Sequence, residues 1–372
     1  MTTVAIDHQI FSLQRVGGIS RQFCHLIEEA RRLPDTRIVL PFTFTNNLYL
    51  RNSPAFGRQH QFEKLGLCIS TRWTKRLNRL TQGPALRLSQ FDVFHPSYYR
   101  DYFSDALDGR PFVLSIVDMI PEMFPDLFAS SPHKDKATLI PKAAAIITNS
   151  VTTKRDLLRL HPFPPERVHV AHLGAPSVEA PKVSPPQLPD DYVLFVGDRR
   201  GYKNFARFAE AMRRIMVKRP RLHLVCAGGG PFGPDDARGF VEAGCRERVL
   251  TAIPDEDTLQ WLYRKSRLFV FPSWYEGFGL PVLEALAYGC PAALSTADAF
   301  REVAGEAALF FDPFDPEAIA EAIERLLDDL DLRARLVARG DRRVRDFSWR
   351  RMAEQTVAVY HDVAAEHRTA TR

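Results

Sequence analysis

From Asp191 onward short apolar runs alternate with helical stretches, and this alternation constrains the fold more than any other feature of the chain. The runs are YVLFVG, LHLVCAG, RVLTAI, RLFVFPS, PAALST and AALFFDP. Between them lie NFARFAEAMRRIMVKR, DTLQWLYRKS, PVLEALAYG and EAIAEAIERLLDDL. A short, continuously apolar run reads as a strand buried on both faces, and a helix after each strand makes successive strands parallel. The expectation is a doubly wound α/β domain. The first half repeats the theme with TVAID, RIVLPF, FDVFHP, FVLSIVD, AAIITNS and RVHVAHLG, and with a helix from about Ile19 to Arg32 after a Gly-Gly turn.

Residues 175–190 are proline-rich and poor in large apolar side chains, the composition of an extended surface linker. The reading is therefore two Rossmann-like domains facing a cleft, residues 1–174 and 191–346. Residues 347–372 form an amphipathic helix and tail, in which Trp349, Met352, Val357 and Tyr360 are able to cap either domain.

A chain of 372 residues with 45% hydrophobic and 26% charged residues suits two globular domains with sizeable cores. No apolar run approaches a membrane span, and MTTVAIDHQIF lacks a basic-then-apolar signal, so a cytoplasmic location is the default expectation. The net charge of +5 suits anionic small molecules or an acidic membrane surface and does not point to nucleic acid. Cys24, Cys68, Cys226, Cys245 and Cys290 show no CxxC spacing and read as reduced thiols rather than disulfides or zinc ligands.

Chemistry concentrates in FPSWYEGFGLPVLEAL, residues 271–286. Ligands of parallel sheets sit beyond the carboxyl ends of the strands, so the segment after Phe271 is a crest loop. Gly277 and Gly279 are free to take positive φ, and Pro281 suits a first helical turn. The N–H groups of Phe278, Gly279 and Leu280 would then face an anion such as a diphosphate. Glu284 and Glu276 make sense against sugar hydroxyls on either side of it. The alternative is that Glu284 offsets the helix dipole and Glu276 is solvated. In FVGDRRGYKNF, Arg199, Arg200 and Lys203 either serve a diphosphate leaving group or form a solvated basic turn. CAGGGPFG is a third glycine-rich crest loop.

These residues resemble the retaining family 4 glycosyltransferases. Glu276 and Glu284 match the family's E-x7-E signature, and VGDRRGYKNF is similar to its Arg-to-Lys phosphate loop. LQRVGGISRQF and IITNSVTTKRDLLRLHPFPPERVHVAHLG extend the likeness over nearly the whole chain. The resemblance implies the GT-B fold, a donor-binding second domain, an acceptor-binding first domain, and chemistry without metal or cofactor. The nucleotide-diphosphate sugar is then a co-substrate. Arg199 and Lys203 would hold the diphosphate with the Gly277–Leu280 backbone, Glu284 the ribose, and Glu276 the transferred sugar. Gly17 and Gly18 would form the facing loop, and backbone near Ala252 and Ile253 would meet the base. The last helix would cross back to the first domain.

One departure stands out. Where the family often has His-Asp, this chain has Val117-Asp118, and valine donates no hydrogen bond; Asp118 remains as acceptor base or hydroxyl ligand. Pairing of FHPSYYR with Asp-Met-Ile-Pro resembles a subgroup in which His95, Tyr98, Tyr99 and Arg100 would line the acceptor side. His95 reads equally as a satisfied strand-end histidine.

The implied activity is retaining, metal-independent transfer from a GDP-mannose or UDP-sugar type donor to a saccharide or lipid-linked saccharide, in surface polysaccharide or lipopolysaccharide assembly. A nucleotide-sugar epimerase and a non-catalytic nucleotide-sugar-binding scaffold are the other readings, the latter motivated by Val117. Asp255, Glu256 and Asp257 directly precede a helix and read as capping rather than as a metal motif. TRWTKRLNRL, residues 71–80, is a basic amphipathic helix that either lies on an anionic membrane or packs on its own domain.

Overall fold

Each of the twelve apolar runs contains a strand in the computed structural model, which describes residues 1–42, 45–53, 71–128, 133, 135–180, 187–199 and 201–371. Within these, residues 52, 71–77, 79, 80 and 235 are described by backbone alone. The first six strands are β1 (Thr2–Ile6), β2 (Thr36–Val39), β3 (Val93–His95), β4 (Val113–Ile116), β5 (Ala145–Thr148) and β6 (Val168–Val170). They are followed by β7 (Tyr192–Val196), β8 (His223–Ala227), β9 (Val249–Ala252), β10 (Leu268–Phe271), β11 (Ala292–Ser295) and β12 (Leu309–Phe311).

The chain divides into two compact units, Met1–Gly174 with Ser348–Arg372, and Ala175–Phe347. In the first unit the strands run parallel in the orders β2-β1-β3 and β4-β5-β6, linked by a parallel bridge between Phe94 and Phe112. Side-chain alternation sends Val4 and Ile6 to one core, with Phe23, Ile27 and Ile147, and Ala5 to another, with Phe94, Leu114 and Ile146. Each large side chain buried this way contributes about 1.5–3 kcal/mol.

The terminal helix Trp349–Ala370 belongs to this first unit. Its Met352, Val357, Tyr360 and Val363 complete the core over the helix Gly18–Ala30. Ser348 caps it by accepting the Arg351 N–H. His25 stacks on Trp349 with centroids 4.2 Å apart. Gly174 is required here by close approach, since a Cβ would lie 2.2 Å from the Trp349 nitrogen.

The second unit holds one six-stranded parallel sheet in the order β12-β11-β10-β7-β8-β9. Counted from β7, this is the order 6-5-4-1-2-3, in which connections reverse direction between β7 and β10. Phe195, Phe208, Met212, Ile215, Leu224 and Val270 pack one face, and Phe271 stacks on Phe300 on the other side, centroids 4.9 Å apart. Residues 175–180 have no regular structure and are tied to the second unit: the carbonyls of Val178 and Glu179 accept from Arg264 and Gln260.

Residues 71–80 fall in the helix Thr71–Leu88, while the side chains that decide between membrane and packing lie outside the described residues. Cys24, Cys226, Cys245 and Cys290 are buried free thiols, and Cys68 lies outside the described residues. Asp255 caps the helix Glu256–Lys265, accepting the Thr258 N–H at 2.8 Å. Among the described residues no group of His, Cys, Asp and Glu is arranged to hold a metal ion, and no helix is long and apolar enough to cross a membrane.

Candidate active site

β7 and β10 are neighbours at the reversal point of the second sheet, so the loops that follow them are adjacent. Lys203 comes from the first loop and Glu276 from the second, and Lys203 Nζ meets Glu276 Oε1 at 2.6 Å. Both side chains are mostly buried, and the ammonium also lies 5.1 Å from the ring centroids of Tyr202 and Phe271. Asn204 locks the arrangement. It holds a left-handed φ of +57°, and its Nδ2 donates to the carbonyls of Pro272 (3.1 Å) and Pro313 (2.6 Å). Trp274 N–H donates to the Tyr202 carbonyl at 3.0 Å, a further tie between the loops.

Past Glu276 the chain turns into the helix Leu280–Ala287 through Gly279, whose φ of +101° no other residue adopts cheaply. Gly277 takes no left-handed conformation, so only one of the two glycines is demanded by φ. Phe278 is buried against Phe347, and Leu280 is the first residue of the helix. Pro281 has no N–H, and the Val282 and Leu283 N–H groups donate to the Gly279 carbonyl at 2.9 and 3.4 Å, so at this helix start the Leu280 N–H and the helix dipole are what favour an anion. Glu284 is the fifth helical residue, beyond the first turn where a carboxylate offsets the dipole. It is buried, and its Oε2 accepts the Tyr263 hydroxyl at 3.0 Å.

Arg199 departs from expectation. Its guanidinium is buried and donates to the carbonyls of Gly228 (3.1 Å), Gly229 (3.1 Å), Gly230 (2.8 Å) and Pro231 (2.8 Å). It also lies 3.5 Å from Asp236 and 4.5 Å from the Phe232 ring centroid. All three glycines have left-handed φ, so their carbonyls converge on one fork of donors. Arg199 thus organises the loop after β8 instead of presenting a free cation. Arg200 lies outside the described residues. Ile253 follows β9 and is 82% exposed.

In the first unit His95 is corrected from acceptor ligand to core residue. It is fully buried, with Nδ1 2.5 Å from the Tyr360 hydroxyl and Nε2 2.9 Å from Ser115 Oγ. Burial pushes its pKa down to about 3, so the ring is neutral. Tyr99 is corrected in the same sense: it is buried and its hydroxyl oxygen accepts the Val117 N–H at 3.2 Å. Burial, then the charge of Asp118, raises the pKa of both Tyr98 and Tyr99. Tyr98 is half-buried against Tyr99 and His133, whereas Arg100 is exposed.

Asp118 is half-exposed, and its Oδ1 accepts the Ile120 N–H at 3.0 Å. Sequence reasoning missed its anchor, Lys136. That ammonium is fully buried, donating to the Asp118 carbonyl at 2.7 Å and Glu122 Oε2 at 3.0 Å, with the Tyr99 ring 5.2 Å away. In HKDKATL it reads as one charge of a solvated run, and nothing local marks it as buried. Gly17 and Gly18 lead into the helix Gly18–Ala30, where Gln14 Oε1 accepts the Ser20 N–H at 3.1 Å.

A parallel sheet in this strand order, with an ion pair at its reversal point, makes the second unit a Rossmann-type unit in a GT-B chain. The family model described as "Glycosyl transferases group 1" matches residues 190–329, most of that unit. O-antigen chain mannosyltransferase B of Escherichia coli is 33% identical over 293 residues, 75% of this chain and 76% of that protein. The chain belongs to the group 1 glycosyltransferases.

D-inositol 3-phosphate glycosyltransferase of Thermobispora bispora is 31% identical over 62% of this chain and 59% of its own length. Two solved structures share the fold: sucrose-phosphate synthase from Thermosynechococcus elongatus, with a TM-score of 0.70, 20% identity and coverage of 98% and 100%, and WaaG, a glycosyltransferase involved in lipopolysaccharide biosynthesis, with 0.67, 14%, 96% and 99%.

Proposed function

We propose that this glycosyltransferase moves a hexosyl residue, mannosyl by its likeness to the Escherichia coli mannosyltransferase, from a nucleotide-diphosphate sugar to a hydroxyl of a saccharide or lipid-linked saccharide, with retention of anomeric configuration. The observation that carries the reading is the Lys203–Glu276 pair, 2.6 Å apart, at the reversal point where ligands of doubly wound sheets bind. The name of the Escherichia coli relative supports both a mannosyl donor and a surface polysaccharide setting.

As the bond between the anomeric carbon and the diphosphate oxygen breaks, negative charge gathers on the leaving group. Lys203 and the Leu280 N–H at the start of the helix Leu280–Ala287 would stabilise it. Charge on the diphosphate would draw Lys203 from Glu276, freeing that carboxylate for the hydroxyls of the sugar. Glu284, oriented by the Tyr263 hydroxyl, would accept from ribose. The acceptor oxygen bonds to the anomeric carbon on the face the leaving group vacates, and its proton passes to a phosphate oxygen. Asp118 would hold the acceptor in the first unit. Arg199 enters indirectly, through the loop it orders.

A thermal-shift panel of GDP, UDP and ADP with their hexose conjugates, with and without EDTA, tests the donor. One nucleotide should raise the melting temperature regardless of EDTA, and Lys203→Ala should abolish the shift. Product anomers read by NMR test retention. A panel in which no nucleotide stabilises the chain would count against the proposal.

A further inference from the structure

Phe314, in the loop after β12, is 59% exposed, yet its position is fixed. Its N–H donates to Asp312 Oδ1 at 2.8 Å, and the preceding carbonyl, of Pro313, accepts from Asn204 at 2.6 Å. One residue further on, Asp315 caps the helix Pro316–Asp328 by accepting the Glu317 N–H at 2.9 Å. The Phe314 ring lies on Trp274, from the loop after β10, with centroids 5.7 Å apart and planes 20° from parallel. Trp274 is half-buried and is held in turn through its N–H to the Tyr202 carbonyl. Loops after β7, β10 and β12 thus meet in a pinned aromatic ledge, in which Tyr202 adjoins Lys203 and Trp274 precedes Glu276 by two residues.

The groups that flank the ledge keep hydrogen-bonding capacity that the protein does not use. Arg207, in the helix Phe205–Lys218, has its guanidinium carbon 5.5 Å from the Phe314 ring centroid. It gives Nη1 to Asn204 Oδ1 at 3.2 Å, and its Nε and Nη2 have no partner among the described residues. Asp312 and Asp315 are exposed. Each engages the backbone through Oδ1, and neither Oδ2 has a partner among the described residues.

An aromatic face bordered by donors and acceptors suits a pyranose, whose C–H face packs on the electron-rich ring and whose hydroxyls both donate and accept. An anion would meet two carboxylates against one guanidinium. A nucleobase also stacks on rings, but the sheet runs β9-β8-β7-β10-β11-β12, so the ledge stands across the reversal point from Ile253 at the β9 end. A stable protein interface takes about 800 Å² from each partner, more than two rings supply. We propose that Trp274 and Phe314 form a stacking platform for a neutral pyranose, with hydrogen bonds from Arg207, Asp312 and Asp315. In the transfer reaction that pyranose is a unit of the saccharide chain flanking the point of transfer. This role rests on the transfer reading above; the saccharide platform itself does not.

Fluorine NMR on the full chain labelled with 5-fluorotryptophan tests this, because the chain has four tryptophans and Trp274→Phe assigns the resonance of Trp274. The neutral probes are methyl α-mannopyranoside, methyl α-glucopyranoside, α-mannobiose and α-mannotriose, with mannose 6-phosphate, uridine and guanosine as counterparts. At least one neutral saccharide should shift the Trp274 resonance, and should bind more tightly than any counterpart. Phe314→Ala should weaken that binding roughly three- to tenfold, the worth of an aromatic contact, and Phe314→Tyr should keep it. Circular dichroism and unfolding midpoints establish that both variants are folded. The platform is overturned if no neutral saccharide moves the resonance, if a counterpart binds better, or if folded Phe314→Ala binds as the wild type does. Nucleoside diphosphate binding to the wild type is read separately by thermal shift. Its absence would sink the transfer reading, while the fluorine arm still decides the platform.

Discussion

Lys203 and Arg199 lie on one loop, but the fold gives them different work. Lys203 faces Glu276 where two crest loops meet, so its removal should act on turnover: Lys203→Ala is expected to lower kcat by about 10²–10³-fold, measured by nucleotide release with a fixed acceptor. Arg199 is a positioning residue. Arg199→Ala strips the donors from four carbonyls of a half-exposed loop, where water can replace them in part, so each lost hydrogen bond costs about 0.5–1.5 kcal/mol. A fall of several degrees in the unfolding midpoint is expected, and Arg199→Lys should not restore it, because one ammonium cannot span a planar fork. An Arg199→Ala chain with unchanged stability and depressed turnover would return the residue to direct phosphate contact. Both basic residues were visible in VGDRRGYKNF; what they touch was not, since the carbonyls that engage Arg199 come from the loop after β8.

At the scale of the element, the turn into the helix Leu280–Ala287 depends on Gly279. An added Cβ would sit 3.0 Å from Phe300 at a φ of +101°. Gly279→Ala should therefore cost about 1 kcal/mol or more and misdirect the helix start. Urea midpoints together with nucleotide thermal shifts check this, and a variant unchanged in both would refute the role of the turn. Gly277, read as its equal, is not, because the chain reverses through one residue only. Strands and the E-G-F-G-L-P turn were legible because periodicity and backbone preference are local. The Tyr263 hydroxyl that orients Glu284 belongs to another helix, and no spacing rule connects them.

For the molecule as a whole, acid should loosen the first unit through its buried histidines. Burial pushes His95 down to about 3, and burial, then Arg21, pushes His25 down to about 4. Both should sit near 6.5 in the unfolded chain. The unfolded state then binds more protons as pH falls below about 6.5, so stability is full above that value and drops by up to about 1.4 kcal/mol per pH unit for each histidine. The loss levels off below the folded values. Urea midpoints at pH 7, 5.5 and 4.5 check the sign, and His95→Gln should flatten the slope whatever it does to the midpoint itself. A profile without slope in this window would contradict the buried, neutral state. His25 lies on Trp349 and His95 on Tyr360, so the terminal helix is the element this titration bears on.

From its residues alone the chain specifies twelve strands, their parallel sense and the glycine turn ahead of the helix Leu280–Ala287, because apolar run length, helix spacing and glycine placement act over a few neighbours. His95 shows where that reach ends. Its partners, Ser115 and Tyr360, lie 20 and 265 residues away, and only the packing of the terminal helix onto the first unit turns a candidate sugar ligand into a neutral core residue. Lys136 is the converse, a charge in a polar run that tertiary structure buries beneath Asp118. Residue type sets which hydrogen bonds a side chain can make; burial and partners distant in the chain set which of them it does make.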